Sequence, residues 1–168
     1  MEILYIISAV LQSFAISAGV GSSTIAVTQF FSAINDGKID ESERRMMGVT
    51  YAVLRIAMGL ILVSTAVQGV IIYYYGGMGT EYFNPFSVGV WTVIAVLFLN
   101  ALAMTKHWLP STLGPGIQAG SWYTLGMMFA FIPLGLTNFT FVQFLLGYAG
   151  MICLAVAIVN GVMSYKKG

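Results

Sequence analysis

Apolar residues run along this chain in long blocks separated by short polar ones, without the strict alternation of a half-solvated strand or the narrow stripe of a water-facing helix. Five blocks, near residues 3–33, 45–74, 86–108, 117–136 and 139–164, meet or exceed the roughly 20 residues that a helix needs to cross about 30 Å of hydrocarbon. The first two are longer than that, which predicts tilt or extension past the lipid. The breaks are rich in turn formers: NDGKIDESE, GGMGTEYFNP, LPSTLGPG and PLGLTN. The pattern predicts an all-α protein, an integral membrane bundle of five transmembrane helices built as a single transmembrane domain over residues 1–168. Asn138 is placed to cap the last helix.

Composition agrees. Of 168 residues, 58% are hydrophobic and 8% charged, and the mean hydropathy is +0.88, whereas a soluble domain is roughly 25% charged. Seven basic against six acidic residues leave a net charge of +1, too little for a nucleic-acid surface, so the expected partner is the lipid bilayer. One cysteine, Cys153, excludes an internal disulfide framework or a CxxC pair. The opening MEILYIISAV has an acidic start and an apolar run longer than a signal peptide's, which predicts a retained helix.

Charge also predicts orientation. With the N-terminus outside, Lys38, Arg44, Arg45, Lys106, Lys166 and Lys167 all fall on the cytoplasmic side, and only Glu2 and Glu81 on the outer one. The positive-inside rule then gives N-out, C-in in the cell's inner (plasma) membrane. Tyr73, Tyr74, Tyr75, Tyr82 and Phe83 would form the outer aromatic belt, Trp108 and Tyr165 the inner one.

The second block carries one charge in its middle, Arg55. At helical spacing from it lie Gly48, Ala52, Gly59, Leu62, Ala66 and Gly69, nearly all small; the first block has a similar series in Ser8, Gln12, Ala15, Gly19, Ser22, Ala26, Gln29 and Ala33. Small faces let membrane helices approach closely, so the two series are expected to meet and to enclose Arg55. Ten residues past Arg45, it lies about 15 Å along the axis, at the level of the GVGSST stretch and of Asn100. Gln118, Ser121, Trp122 and Tyr123 open the fourth block on the same side. A guanidinium there needs a backbone or amide oxygen, water, a loop carboxylate or an anionic ligand. The same side chain also suits an anchor stretched to lipid phosphate, Asp36 or Glu43. Gly19 and Gly21 suit either helix contact or a broken, ion-binding helix.

Other patterns are weaker. NDGKIDESE resembles the second half of a calcium loop, but Ser32 and Ile34 would occupy the first ligand positions; a capped helix start, with Asp40 or Ser42 at the cap and Glu43 in the first turn, fits better. His107 is the only histidine, so one chain offers no pair of axial imidazoles. Ten methionines are scattered rather than arranged in copper-binding rungs. No metal or cofactor is expected. The NFT at Asn138 fits a glycosylation sequon as well as a cap. No nucleophile, base and orienting acid come together, which argues against a hydrolase.

The run LQSFAISAGVGSSTIAVTQFFSAINDGKIDESERRMMGVTYAVLRIAMGLILVS, with GIQAGSWYTLGM, resembles a group of small bacterial multi-pass membrane proteins in which a glycine-rich first helix leads through a DGKI-type turn into an acidic-basic helix start. That group is distantly similar to the membrane domain of copper-resistance D proteins, where a leucine-histidine pair often precedes the glycines. Here the pair reads Leu11-Gln12, without the histidine that could hold metal or haem. The resemblance covers about the first 65 residues and a patch of the fourth block, and implies an architecture rather than an activity.

The expected function is binding or passage of a small polar or anionic solute in the cytoplasmic half, with Arg55 as the charge and Ser22, Ser23, Gln29, Asn100 and Gln118 as ligand-binding neighbours. So short a chain is expected to work as a homo-oligomer. Two other readings stand beside it: a redox or quinone-associated subunit using His107, Trp108, Trp122 and Tyr123 at the inner interface, and an accessory or scaffold subunit whose small stripes serve helix association alone.

Overall fold

The computed structural model describes residues 1–35, 40–75, 83–110 and 113–165, with residues 30, 32–35 and 162–165 described by backbone alone. Five helices follow one another: α1 (Glu2–Asn35), α2 (Glu41–Tyr75), α3 (Pro85–Thr105), α4 (Leu113–Phe131) and α5 (Phe141–Tyr165). At 34 and 35 residues, α1 and α2 are each about 50 Å long at the α-helical rise.

Local chemistry sets the boundaries. Asp40 opens α2 through a reciprocal capping box: its carboxylate accepts from the Glu43 N–H at 2.7 Å, and the Glu43 carboxylate accepts from the Asp40 N–H at 3.2 Å. Asp36 to Ile39, the rest of the calcium-loop resemblance, lie outside the described residues. Asn84 caps α3 by accepting from the Ser87 N–H at 2.9 Å, with Pro85 in the first turn where no N–H is needed. The cap of α5 is Thr140, not Asn138: Gln143 N–H donates to Thr140 Oγ1 at 3.2 Å, and Thr140 N–H to Gln143 Oε1 at 2.8 Å. The T-x-x-Q pair satisfies two N–H groups at once, which a lone asparagine two residues earlier does not. The fourth helix also lies about four residues earlier than the expected 117–136. It begins in the LGPG stretch, where a proline in the first turn is tolerated, and stops at Phe131 because Ile132 precedes Pro133. Gly135, at φ 69°, turns the chain back.

Asp40→Ala is expected to fray the first turn of α2 and lower the melting temperature by about 2–4 °C. Ser42→Ala should leave it unchanged, and hydrogen exchange at the Glu43 amide distinguishes the two.

α1 packs along α2 and α4 along α5, while α4 also meets α1 and α3; α2 and α3 touch only briefly. Among the described residues α4 is the most enclosed helix. Ten of its 19 residues are buried, and its glycines let neighbours in: a Cβ on Gly120 would stand 3.0 Å from Ile152 Cα, and one on Gly116 3.0 Å from Val156 Cα. Its enclosure explains its polarity. Among the described residues four helices, α1, α2, α3 and α5, are long and apolar enough to cross a membrane, and α4 is not one of them. A helix walled by protein has no need to dissolve in lipid.

The exterior is apolar at the middle of the helices: Phe14, Ile56, Val63, Leu99 and Leu146 are all more than half exposed. So many exposed large apolar side chains suit a membrane protein. Inside, Ala15, Ile61, Val93, Ile94, Leu97, Trp122 and Leu125 form a fully enclosed apolar layer halfway along the bundle.

The expected face of α1 is the buried one: Ser8, Gln12, Ala15, Gly19 and Ser22 are buried, and Ala26 and Gln29 partly so; the side chain of Ala33 lies outside the described residues. The expected face of α2 is not. Gly48, Ala52, Arg55, Gly59 and Leu62 are exposed, so over most of its length this stripe is not buried and does not enclose Arg55; of the series, Ala66 is partly buried and Gly69 buried. α2 instead turns inward Thr50, Leu54, Ala57, Met58, Ile61, Ser64 and Thr65, a face displaced by about 100°, one residue, around the helix. Two small faces against each other would leave voids; larger side chains beside the small residues of α1 fill them.

Candidate functional site

The bundle has two ends. The end at which α1 and α3 finish and α2 and α4 begin holds a cavity of about 230 Å³ between the first four helices. α1 contributes Ser23, α2 Tyr51, Arg55 and Met58, α3 Met104 and Thr105, and α4 Gln118. Arg55 is an exposed residue standing at the rim, where α2 and α3 part. Among the described residues no hydrogen bond or ion pair holds its guanidinium, so its five donors face the cavity mouth and the outside.

The wall behind it is polar and tightly placed. Asn100 is 4% and Gln118 8% exposed. Asn100 Nδ2 donates to Gly114 O at 3.0 Å and to Gln118 Oε1 at 3.1 Å. Both amide hydrogens are thereby used, and Asn100 Oδ1 is left buried without a partner. Gln118 Nε2 meets only the Met58 thioether, at 3.7 Å, a weak acceptor. Ser23 Oγ donates to the Gly19 carbonyl at 2.8 Å and so presents lone pairs rather than a free proton.

Of the six residues expected to form a polar site, Arg55, Ser23 and Gln118 line this one cavity and Asn100 is hydrogen-bonded to its wall. Ser22 is buried but outside the lining. Gln29 sits deeper toward the end of α1, its Oε1 accepting from Thr50 Oγ1 at 3.2 Å.

The four interfacial residues do not converge. Trp122 is fully buried halfway along α4, against Gly19, with its indole N–H unpartnered; the expectation of an interfacial tryptophan is corrected, because the glycine of α1 opens a slot that the indole fills. Tyr123 lies at the same mid-bundle level, its hydroxyl 2.8 Å from Thr24 Oγ1. His107 falls beyond the end of α3 in the left-handed region, φ 57°, and shares no helix face with Asn100. Trp108 is 71% exposed beside it. At the opposite end Tyr73, Tyr74, Tyr75 and Phe83 are exposed. Lys38, Tyr82, Glu81, Lys166, Lys167 and the Tyr165 side chain lie outside the described residues.

At that opposite end lies a second cavity, of about 690 Å³, which the sequence reading did not assign. Its inner wall joins Gln12 of α1 to Thr65 and Gln68 of α2. The legible signal was the placing of Thr65 and Gln68 inside an apolar run, ten and seven residues before the end of α2, at the depth of Gln12 in an antiparallel neighbour.

Fold and surface thus define an all-helical bundle with an apolar exterior and polar cavities at both ends. No protein-family model, curated protein or solved structure matches the chain.

Proposed function

We propose that the chain is a multi-pass protein of the inner (plasma) membrane, N-terminus out, and that the cavity beside Arg55 binds a small polar or anionic solute on its way into or across the bilayer. One observation carries this reading: a guanidinium without a partner among the described residues stands at the mouth of a cavity backed by the neutral amides of Asn100 and Gln118. A single cation over a neutral wall attracts anions and repels cations, and does so more strongly where lipid lowers the surrounding dielectric. Arg44, Arg45 and Lys106 at the same end support the orientation. In the homo-oligomeric reading a second copy would pack on the exposed Gly48, Ala52 and Gly59 and shelter Arg55 from lipid.

The test compares the wild type with Arg55→Ala and Arg55→Lys for thermal stabilisation by a panel of chloride, nitrate, phosphate and small carboxylates. Stabilisation by at least one anion is expected, lost in Arg55→Ala and reduced in Arg55→Lys, with all three proteins equally folded in the absence of anion. If no anion shifts the wild type, or Arg55→Ala responds as the wild type does, the reading fails.

A further inference from the structure

The larger cavity is a different chemical environment from the one beside Arg55. It opens at the end where α1 and α3 begin, draws its walls from all five helices, and at about 690 Å³ falls within the range of small-molecule pockets, roughly 300–1,000 Å³. No Asp, Glu, Lys, Arg or His is among its described lining residues. Its polar groups are amides and hydroxyls.

Those groups are ordered. Gln68 Nε2 donates to Gln12 Oε1 at 2.8 Å, and Gln12 Nε2 donates to Thr65 Oγ1 at 2.8 Å. Gln12 and Thr65 are each 5% exposed and stand ten residues from the outer ends of α1 and α2, about 15 Å deep. Polar side chains at that depth are costly unless they pair or face a pathway. Here each amide uses one N–H in the chain; the second N–H of each, and among the described residues Gln68 Oε1, remain for a ligand. Gln143 is fixed from the other side, since its Oε1 is held by the Thr140 N–H and its amide nitrogen is left for the cavity. Part of the remaining wall is aromatic: Phe86 lies 6.2 Å from Phe129 and 6.1 Å from Phe139, centroid to centroid.

We propose that this cavity binds a neutral polyhydroxylated solute, its hydroxyls on Gln12, Gln68 and Gln143 and its C–H face on the phenylalanines. Hydroxyls donate and accept, as this wall requires, and an uncharged ligand leaves no ionic group unpaired in a site whose described lining residues carry no charge. The same chemistry is offered by a free polyol or sugar and by the headgroup of a neutral glycolipid. The proposal is independent of Arg55.

The test uses the full chain with Cys153→Ser and Thr137→Cys, in a detergent without a sugar headgroup, and measures alkylation of the new thiol by a small neutral maleimide. Glucose and glycerol are the free probes; vesicles of phosphatidylcholine with or without a galactosyl lipid supply the other source. Saturable, several-fold protection is expected from a free probe or from the galactosyl vesicles, and whichever protects identifies the source. Protection should persist in Arg55→Ala and disappear in Gln12→Leu and, should that variant not fold, in Gln68→Met. Native Cys153, exposed on α5, should show no protection when Thr137 is unaltered. Absence of saturable protection by every probe, or protection unchanged in both glutamine variants, overturns the proposal, whatever the anion experiment on Arg55 gives.

Discussion

Gly19→Val is expected to leave no monodisperse folded protein. A Cβ at this position would overlap the ring of Trp122, which is fully enclosed. Overpacking of a well-filled core costs about 1–3 kcal/mol where neighbours can give; here the neighbour is a rigid indole between α1 and α4, so the loss should exceed about 3 kcal/mol. Gly21→Val and Gly147→Val should be tolerated, because nothing stands within 4 Å of either Cβ position. Size-exclusion profiles and denaturant titration in detergent separate the three. Gly19→Ala combined with Trp122→Leu should recover stability relative to Gly19→Ala alone. If the pair is merely additive, the contact is not the cause.

The second large effect is expected at Gly120. Its virtual Cβ meets backbone atoms, Ile152 Cα at 3.0 Å and Met151 O at 3.3 Å, so no side-chain rotation relieves the clash. Gly120→Val must push α5 away from α4, and with it the hydrogen bond of 2.8 Å between the Ser121 and Tyr148 hydroxyls. The interface rests on close backbone approach, as small-xxx-small contacts in membranes do, and Gly116 repeats the arrangement one turn earlier against Val156. Loss of about 3 kcal/mol or more is expected, read as early thermal unfolding and faster proteolysis between α4 and α5. Gly150→Val, with open space at its Cβ, should behave as the wild type. A wild-type melting curve for Gly120→Val would show that α4 and α5 do not depend on this approach.

Element number and type were legible because each helix is long, apolar and bounded by turn residues. Faces were harder to read. In a membrane protein the exterior is as apolar as the core, so hydrophobicity does not mark the inside. On α1 the small and polar residues coincide, and Gln12, Gly19 and Ser22 identify the buried side correctly. On α2 they separate: the small residues Gly48, Ala52 and Gly59 follow Arg55 outward, while the hydroxyls Thr50, Ser64 and Thr65 point inward to partners such as Gln12 and Gln29. Hydroxyls seeking a partner were the better guide. The grouping of Ser23, Arg55 and Gln118 around one space followed from depth alone, counted along each helix. The position of Trp122 did not, because it depends on a slot opened by Gly19 a hundred residues away.

The apolar layer between the two cavities has a kinetic meaning. Gln12 and Ser23 are eleven residues apart on α1, and Thr65 and Met58 seven apart on α2, so about 10–16 Å of close packing separates the chambers. An ion entering that layer unaided would face a desolvation cost of tens of kcal/mol in the continuum limit. Any solute that does cross must therefore wait for Trp122, Ile61 and Leu97 to rearrange, once for each crossing. Turnover would then be set by the rate at which helices move, in the microsecond-to-millisecond range, and the resting protein would leave the membrane potential intact.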